Sequence, residues 1–190
     1  MNHRKETAEI FARILELERA GTRSALATVV RVEGSAYRRP GAKLLVDERG
    51  EALGSVSGGC LEADVREVAQ QVLASGEPRL RHYDTRSHAE LIWGLGLGCE
   101  GAIDLFVQAA GEGSLAELAG AATKLLAGEE AIVIVTATVG PAVAGRVLIV
   151  RTAGTLGTLG DPALDERLAR VGREALAAGQ SRAVSFGGGE

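Results

Sequence analysis

From Leu53 against Leu156 onward, the chain echoes itself at a constant separation of 103 residues: LGSVSGGCLE stands against LGTLGDPALD, and LASGE against LAAGQ. Upstream, ALATVVRVEG is echoed by AIVIVTATVG, and GAKLLVDERG by GRVLIVRTAG. A pattern written twice predicts one local structure built twice, so whatever one copy carries alone is ornament on a common scaffold. The first copy alone carries a cysteine, Cys60 against Ala163, and it has the permissive SGG where the second has GDP. Chemistry is therefore expected around Ser57 to Glu62.

Helical and extended segments follow one another in a mixed order along the chain. Ile10, Ile14 and Leu17 share one helical face over residues 6–20, and Gly21 stops that helix. Residues 25–32, 42–46 and 53–56 read as strands, the second followed by the turn DERG. Leu61, Val65, Val68 and Val72 recur at helical spacing between Cys60 and Leu73, and Gly76 ends the run. Strands are expected at 79–84 and 103–107, and an Ala-rich helix at 115–126. The second copy supplies strands at 131–138, 146–151 and 155–159, a helix at 163–177 and a last strand at 182–186. This order predicts an α/β fold of α+β character: a mixed β-sheet with flanking helices, built from two duplicated β-β-β-α units. The chain is read as one domain, 1–190, with repeat halves at 24–84 and 130–186, whose sheets are expected to fuse around a pseudo-twofold axis.

Bulk composition narrows the class. With 46% apolar residues and no apolar run near the roughly 20 residues that span a bilayer, a soluble chain with a sizeable core is expected. A net charge of -4 argues against general nucleic-acid coating. The polar, amphipathic amino terminus lacks the apolar stretch of a secretory signal, so a cytoplasmic location with reduced thiols is expected.

Cys60 follows Ser57, Gly58 and Gly59 and opens a helix, where backbone N–H groups and the helix dipole favour a thiolate; the competing reading is a small residue closing a turn. The SGG segment itself offers main-chain donors to an anion, or is only a tight turn. Glu62 is a proton acceptor, a ligand anchor or a helix-start cap, and an acid persists at its counterpart Asp165. Arg38 and Arg39, with Lys43 nearby, sit around a Pro-Gly turn and suit a phosphate or carboxylate. Cys99 lies among glycines in GLGLGCEG, and its readings with Cys60 run from thiol pair and reversible disulfide to inert packing. No zinc site is expected, since neither C-x-x-C nor paired histidine spacing is present. His82, Asp84 and His88 would complete a Cys-His-acid set only at hydrogen-bond distance. Trp93 is core, or a stacking surface for a flat heterocycle.

GSAYRRPGAKLLVDERGEALGSVSGGCLEADV followed by GLGLGCEGAIDLFV resembles the amino-terminal domain of the XdhC/CoxI family, accessory proteins of molybdenum hydroxylases. Ser57, Gly58, Gly59, Cys60 and Glu62 match the family's Gly-Gly-Cys-x-Glu motif, and Gly98, Cys99 and Gly101 its later Gly-Cys motif, with Glu100 where the family commonly has glycine. The resemblance implies a chaperone that binds molybdenum cofactor in its molybdopterin form as transient cargo and delivers it to a xanthine dehydrogenase or carbon monoxide dehydrogenase type apoenzyme. It implies cargo contacts at Arg38, Arg39 and the two motifs, with Cys60 and Cys99 toward the molybdenum, and a cysteine desulfurase as a partner. Many members continue into a Rossmann-like domain; here the sequence ends at FGGGE, so a separate subunit or a reduced form is expected, with a homodimer as a further expectation. The alternatives are a thiol-dependent sulfurtransferase or redox enzyme using Cys60, and a cofactor-free assembly scaffold.

Overall fold

The structure, a computed structural model, describes residues 3–84, 101–111, 113–128, 130–140 and 142–186. The first half runs α1 (His3–Arg19), β1 (Ser24–Gly34), β2 (Lys43–Asp47), β3 (Ala52–Gly54), α2 (Glu62–Ser75), β4 (Arg79–Asp84) and β5 (Gly101–Ala109). There follow α3 (Gly113–Ala127), β6 (Ile132–Thr136), β7 (Val147–Arg151), β8 (Gly154–Gly157) and α4 (Pro162–Ala178). A β-β-β-α order thus occurs twice, each time preceded by a helix. Among the described residues no helix is long and apolar enough to cross a membrane.

The strands form two open sheets, one ordered β3-β2-β1-β5-β4 and the other β6-β7-β8. Every pairing among the described residues is antiparallel, which corrects the expectation of one mixed, fused sheet. Two physical reasons account for the difference. Short hairpin links make sequential strands antiparallel neighbours, and α1 and α3 lie between the sheets. Ile10, Phe11 and Ile14 of α1 and Leu115, Leu118 and Ala122 of α3 share one core with Leu26 and Leu45 of the first sheet and Val147 and Ile149 of the second. On the far face of the first sheet, Ala25, Ala27, Leu44, Val46 and Leu105 pack on Val65, Val68 and Val72 of α2. On the far face of the second, Leu148 and Val150 pack on Leu168 and Ala169 of α4. The alternation of strand side chains between two buried faces explains why all five residues of β2 are buried.

Residues 182–186 form no strand. Side chains fasten this segment to α4 instead: Arg182 donates to Glu174 at 2.7 Å, and Phe186 packs under the Arg167 guanidinium at 4.8 Å.

Two glycines at the 103-residue separation make the same close approach. Gly54 has φ +96°, and a Cβ there would lie 2.4 Å from the Lys43 carbonyl oxygen and 2.9 Å from Ile10 Cδ1. Gly157 has φ +84°, and its Cβ would lie 2.6 Å from Leu118 Cδ1 and 2.7 Å from the Val147 carbonyl oxygen. Each closes a sheet edge against a central helix. Gly50, also at φ +84°, has nothing within 4 Å. Gly54→Ala and Gly157→Ala are expected to cost about 1–3 kcal/mol each from backbone strain, with the clash added to it, and Gly50→Ala less than either. Thermal denaturation of the three variants checks this, and equal melting temperatures would refute it.

Candidate functional site

Between β3 and α2 the chain makes a seven-residue loop, Ser55 to Leu61, and Glu62 is the first residue of the helix. Leu61 occupies the N-cap and provides no side-chain hydrogen bond. The Glu62 carboxylate turns back onto the loop. Its Oε1 accepts from Ser55 Oγ at 2.8 Å, Val56 N at 3.1 Å and Ser57 N at 3.0 Å. Its Oε2 accepts from Gly59 N at 2.8 Å, Leu61 N at 3.2 Å and the Ser57 hydroxyl. The serine hydroxyls also accept, Ser55 Oγ from Gly58 N at 3.0 Å and Ser57 Oγ from Leu61 N at 2.8 Å. Burial pushes the Glu62 carboxyl up, but the hydrogen bonds from Ser57 and Ser55 more than offset it and hold the group at about 2.

Of the SGG main-chain donors, which the sequence offers to an external anion, Ser57 and Gly59 therefore face the internal carboxylate and Gly58 the Ser55 hydroxyl. Cys60 sits at the crest of this loop, exposed. In the second half Asp165 takes the corresponding place, accepting from Thr158 Oγ1 at 2.5 Å and Leu159 N at 2.7 Å, while Asp161 caps α4 through Ala163 N at 2.8 Å.

Gly58 and Gly59 have φ +83° and +121°, but only Gly58 is crowded: a Cβ there would lie 2.5 Å from Tyr37 Cδ1. The Tyr37 ring rests on the turn with 73% of its surface exposed. Tyr37, Ser57, Cys60, Leu61 and Tyr83 line a small cleft of about 40 Å³, closed by Gly101 and Ile103. Gly101 approaches so closely that its Cβ would lie 2.5 Å from the Glu33 carbonyl oxygen and 2.6 Å from that of Ser35. Both tyrosines of the chain meet here. Tyr83 donates to Asp64 on α2; burial, then that hydrogen bond and charge, push the phenol up to about 12, so it holds its proton at neutral pH.

On the other side of Tyr37 opens a larger cleft of about 690 Å³, lined by His3 and Glu6 of α1, Arg38 and Arg39, and Gln180 and Ser181. Arg38 is tied to Glu6 at 2.6 Å, the two side chains only 11% and 13% exposed, whereas Arg39 is exposed. Beneath the loop, buried Lys43 donates to the Gly41 carbonyl at 2.9 Å. Burial pushes its ammonium down to about 8, with Glu6 pulling it back up. His3 is lowered by burial and by Lys43, against Glu6, with Arg38 adding to the lowering.

The structure thus brings Ser57, Cys60 and Gly101 to one small cleft, with Gly58, Gly59 and Glu62 in the loop that frames it, and Arg38 and Arg39 to a second cleft. Gly98, Cys99, His88, Trp93 and Glu100 lie outside the described residues. His82 meets Asp104 rather than Asp84, with Nδ1 to Oδ1 at 2.6 Å. Strand alternation sends His82 to the face opposite Tyr83, away from the Cys60 cleft. Tyr37, Tyr83 and His3 are cleft residues that no sequence pattern singles out. The signal that the sequence does hold for the tyrosines is their rarity and, for Tyr37, its place next to Arg38.

Glu62→Gln places an amide nitrogen against donors and is expected to cost about 1–3 kcal/mol at pH 7. Because the folded carboxyl is depressed, its contribution is complete above the unfolded value near 4.5 and is lost as the pH falls toward about 2. Urea denaturation should therefore separate wild type from variant at pH 7 and converge at pH 2–3; coincident midpoints at pH 7 would contradict the role given to Glu62.

The XdhC and CoxI family model matches residues 17–84 and 125–187. The chain is 45% identical over 86 residues to a probable xanthine dehydrogenase subunit of Bacillus subtilis, covering 44% of this chain and 25% of that protein. It is 39% identical over 64 residues to the molybdenum cofactor insertion chaperone PaoD of Escherichia coli, covering 34% and 20%. A crystal structure of a xanthine dehydrogenase from Bacillus halodurans superposes with a TM-score of 0.61 at 27% identity, over 83% of this chain and 48% of that one. These matched segments take in at most a quarter of each curated relative and about half of the solved chain. With the family model matched across both halves, through the loop that presents Cys60 and its Asp165-centred counterpart, the chain belongs to the XdhC and CoxI family.

Proposed function

We propose that this chain is an accessory module that holds molybdenum cofactor as transient cargo and passes it to a hydroxylase apoenzyme of the xanthine dehydrogenase or carbon monoxide dehydrogenase type. The observation that carries this reading is the exposed Cys60 on a loop locked by Glu62, beside an exposed aromatic ring and a cation-lined cleft. A soft thiolate suits a metal bound by sulfur, and a flat pterin suits the Tyr37 face. The small cleft, at about 40 Å³, is far below the 300–1,000 Å³ of ordinary ligand sites, while the larger one falls within that range. The cargo therefore lies against Tyr37 from the large-cleft side, with its metal end toward Cys60, and Cys99 is its second thiol. The family relationship and the naming of PaoD as a molybdenum cofactor insertion chaperone support the same assignment.

Binding and transfer are favoured over turnover by the position of His82, which pairs with Asp104 on the opposite sheet face from the cleft. Partners in this reading are the apoenzyme, a cysteine desulfurase, a second copy of the chain and a companion Rossmann-like subunit, in the cytoplasm. The single domain 1–190 is read as a duplication with halves at 24–84 and 130–186. Support for that comes from the paired glycines Gly54 and Gly157, the paired carboxylates Glu62 and Asp165, and a family match in two segments.

Anaerobic incubation with molybdenum cofactor, followed by gel filtration, tests the reading. Wild type is expected to co-elute with about one molybdenum and one pterin per site, and Cys60→Ser to retain at most a tenth of the metal. Retention by neither protein would overturn stand-alone carriage, and equal retention would remove Cys60 from the site.

A further inference from the structure

The large cleft is built from three separate parts of the chain: the first turn of α1, the loop 37–42, and residues 179–181 after α4. Gly41 makes that convergence feasible. At φ +96° it passes so near its neighbours that a Cβ would lie 3.2 Å from both His3 Nε2 and Ser181 Oγ. The polar groups collected here are unbalanced in charge. Arg38 and Arg39 line the cleft against the one carboxylate of Glu6, which Arg38 already engages, while Lys43 is buried and donates to the Gly41 carbonyl. Two guanidinium groups against one carboxylate leave the lining with a surplus of one positive charge, in a chain whose net charge is -4.

We infer that this cleft is a binding site for a phosphate monoester carried on a flat ring, with Arg39 and Arg38 gripping the dianion, His3, Gln180 and Ser181 adding hydrogen bonds, and Tyr37 forming the wall on which the ring lies. An anion answers the surplus charge, and guanidinium forks suit the non-bridging phosphate oxygens better than a point charge does. The exposed face of Tyr37 makes a ring-bearing ester fit better than inorganic phosphate. Within the proposed function, on which the identity of the natural ligand rests, the phosphate is the far end of the cargo from Cys60. The same chemistry is offered by a free nucleoside monophosphate.

Guanosine monophosphate, guanosine and inorganic phosphate are the probes, titrated into the full chain and followed by calorimetry and amide NMR. The monophosphate is expected to bind with shifts at His3, Tyr37, Gln180 and Ser181. Guanosine should bind at least tenfold more weakly, and inorganic phosphate should fall between. Arg39→Gln, an exposed position outside the core, should weaken the monophosphate about tenfold or more while leaving guanosine unchanged. No binding at millimolar concentration, or equal affinity in Arg39→Gln, would overturn the inference. Addition of the monophosphate to cofactor-loaded protein separates the sources: release of pterin assigns the site to the cargo phosphate, and simultaneous binding assigns it to a free nucleotide. Failure of wild type to retain molybdenum cofactor would sink the carrier reading and leave the monophosphate titration standing by itself.

Discussion

A single carboxylate at the first residue of α2 holds the strand-to-helix loop that precedes it. Glu62 collects two hydroxyls and four main-chain N–H groups from Ser55 to Leu61. The consequences run outward from that contact. The turn is fixed in a shape that requires positive φ at Gly58 and Gly59, and the Gly58 surface then has room for the Tyr37 ring. Tyr37 in turn divides the two clefts, one holding Cys60 and the other the arginines. An external anion would have to displace Glu62 to use the Ser57 and Gly59 donors.

The frame around this loop explains how so short a segment is held still. Val56 is buried beneath it, and α2 packs Val65, Val68 and Val72 on the first sheet. The central helices α1 and α3 tie that sheet to the second through a shared core. In the second half Asp165 accepts from Thr158 Oγ1 and Leu159 N, and Asp161 with Pro162 forms an ordinary N-cap for α4.

Periodicity made the local elements legible, because burial follows it. Ile10, Ile14 and Leu17 are all buried, and the strand at 79–84 and the helix starting within two residues of Cys60 stand where alternation and spacing put them. The sheet organisation was less legible. Nothing in a strand's own residues tells whether its neighbour runs parallel or which helix covers it, and the insertion of α1 and α3 between two sheets is a tertiary fact. The strand expected at 182–186 reads as β-prone, yet it has no partner edge and is fastened to α4 by Arg182 and Phe186. At the site, the motif located the loop but not its polarity. Glu62 and the glycines are adjacent in sequence, and only folding reveals that they bind one another. The second cleft was illegible beyond Arg38 and Arg39, because His3 and Ser181 come from opposite ends of the chain.

Glu62 is an ionised internal acceptor that sets the shape of the Cys60 loop. The most direct measurement is a carbon-detected NMR titration of the Glu62 side-chain carboxyl in the folded protein. The account predicts a midpoint near 2, moving as one with the amide signals of Ser57 and Gly59. A midpoint near the ordinary glutamate value of about 4.3, with those amides unmoved, would contradict it.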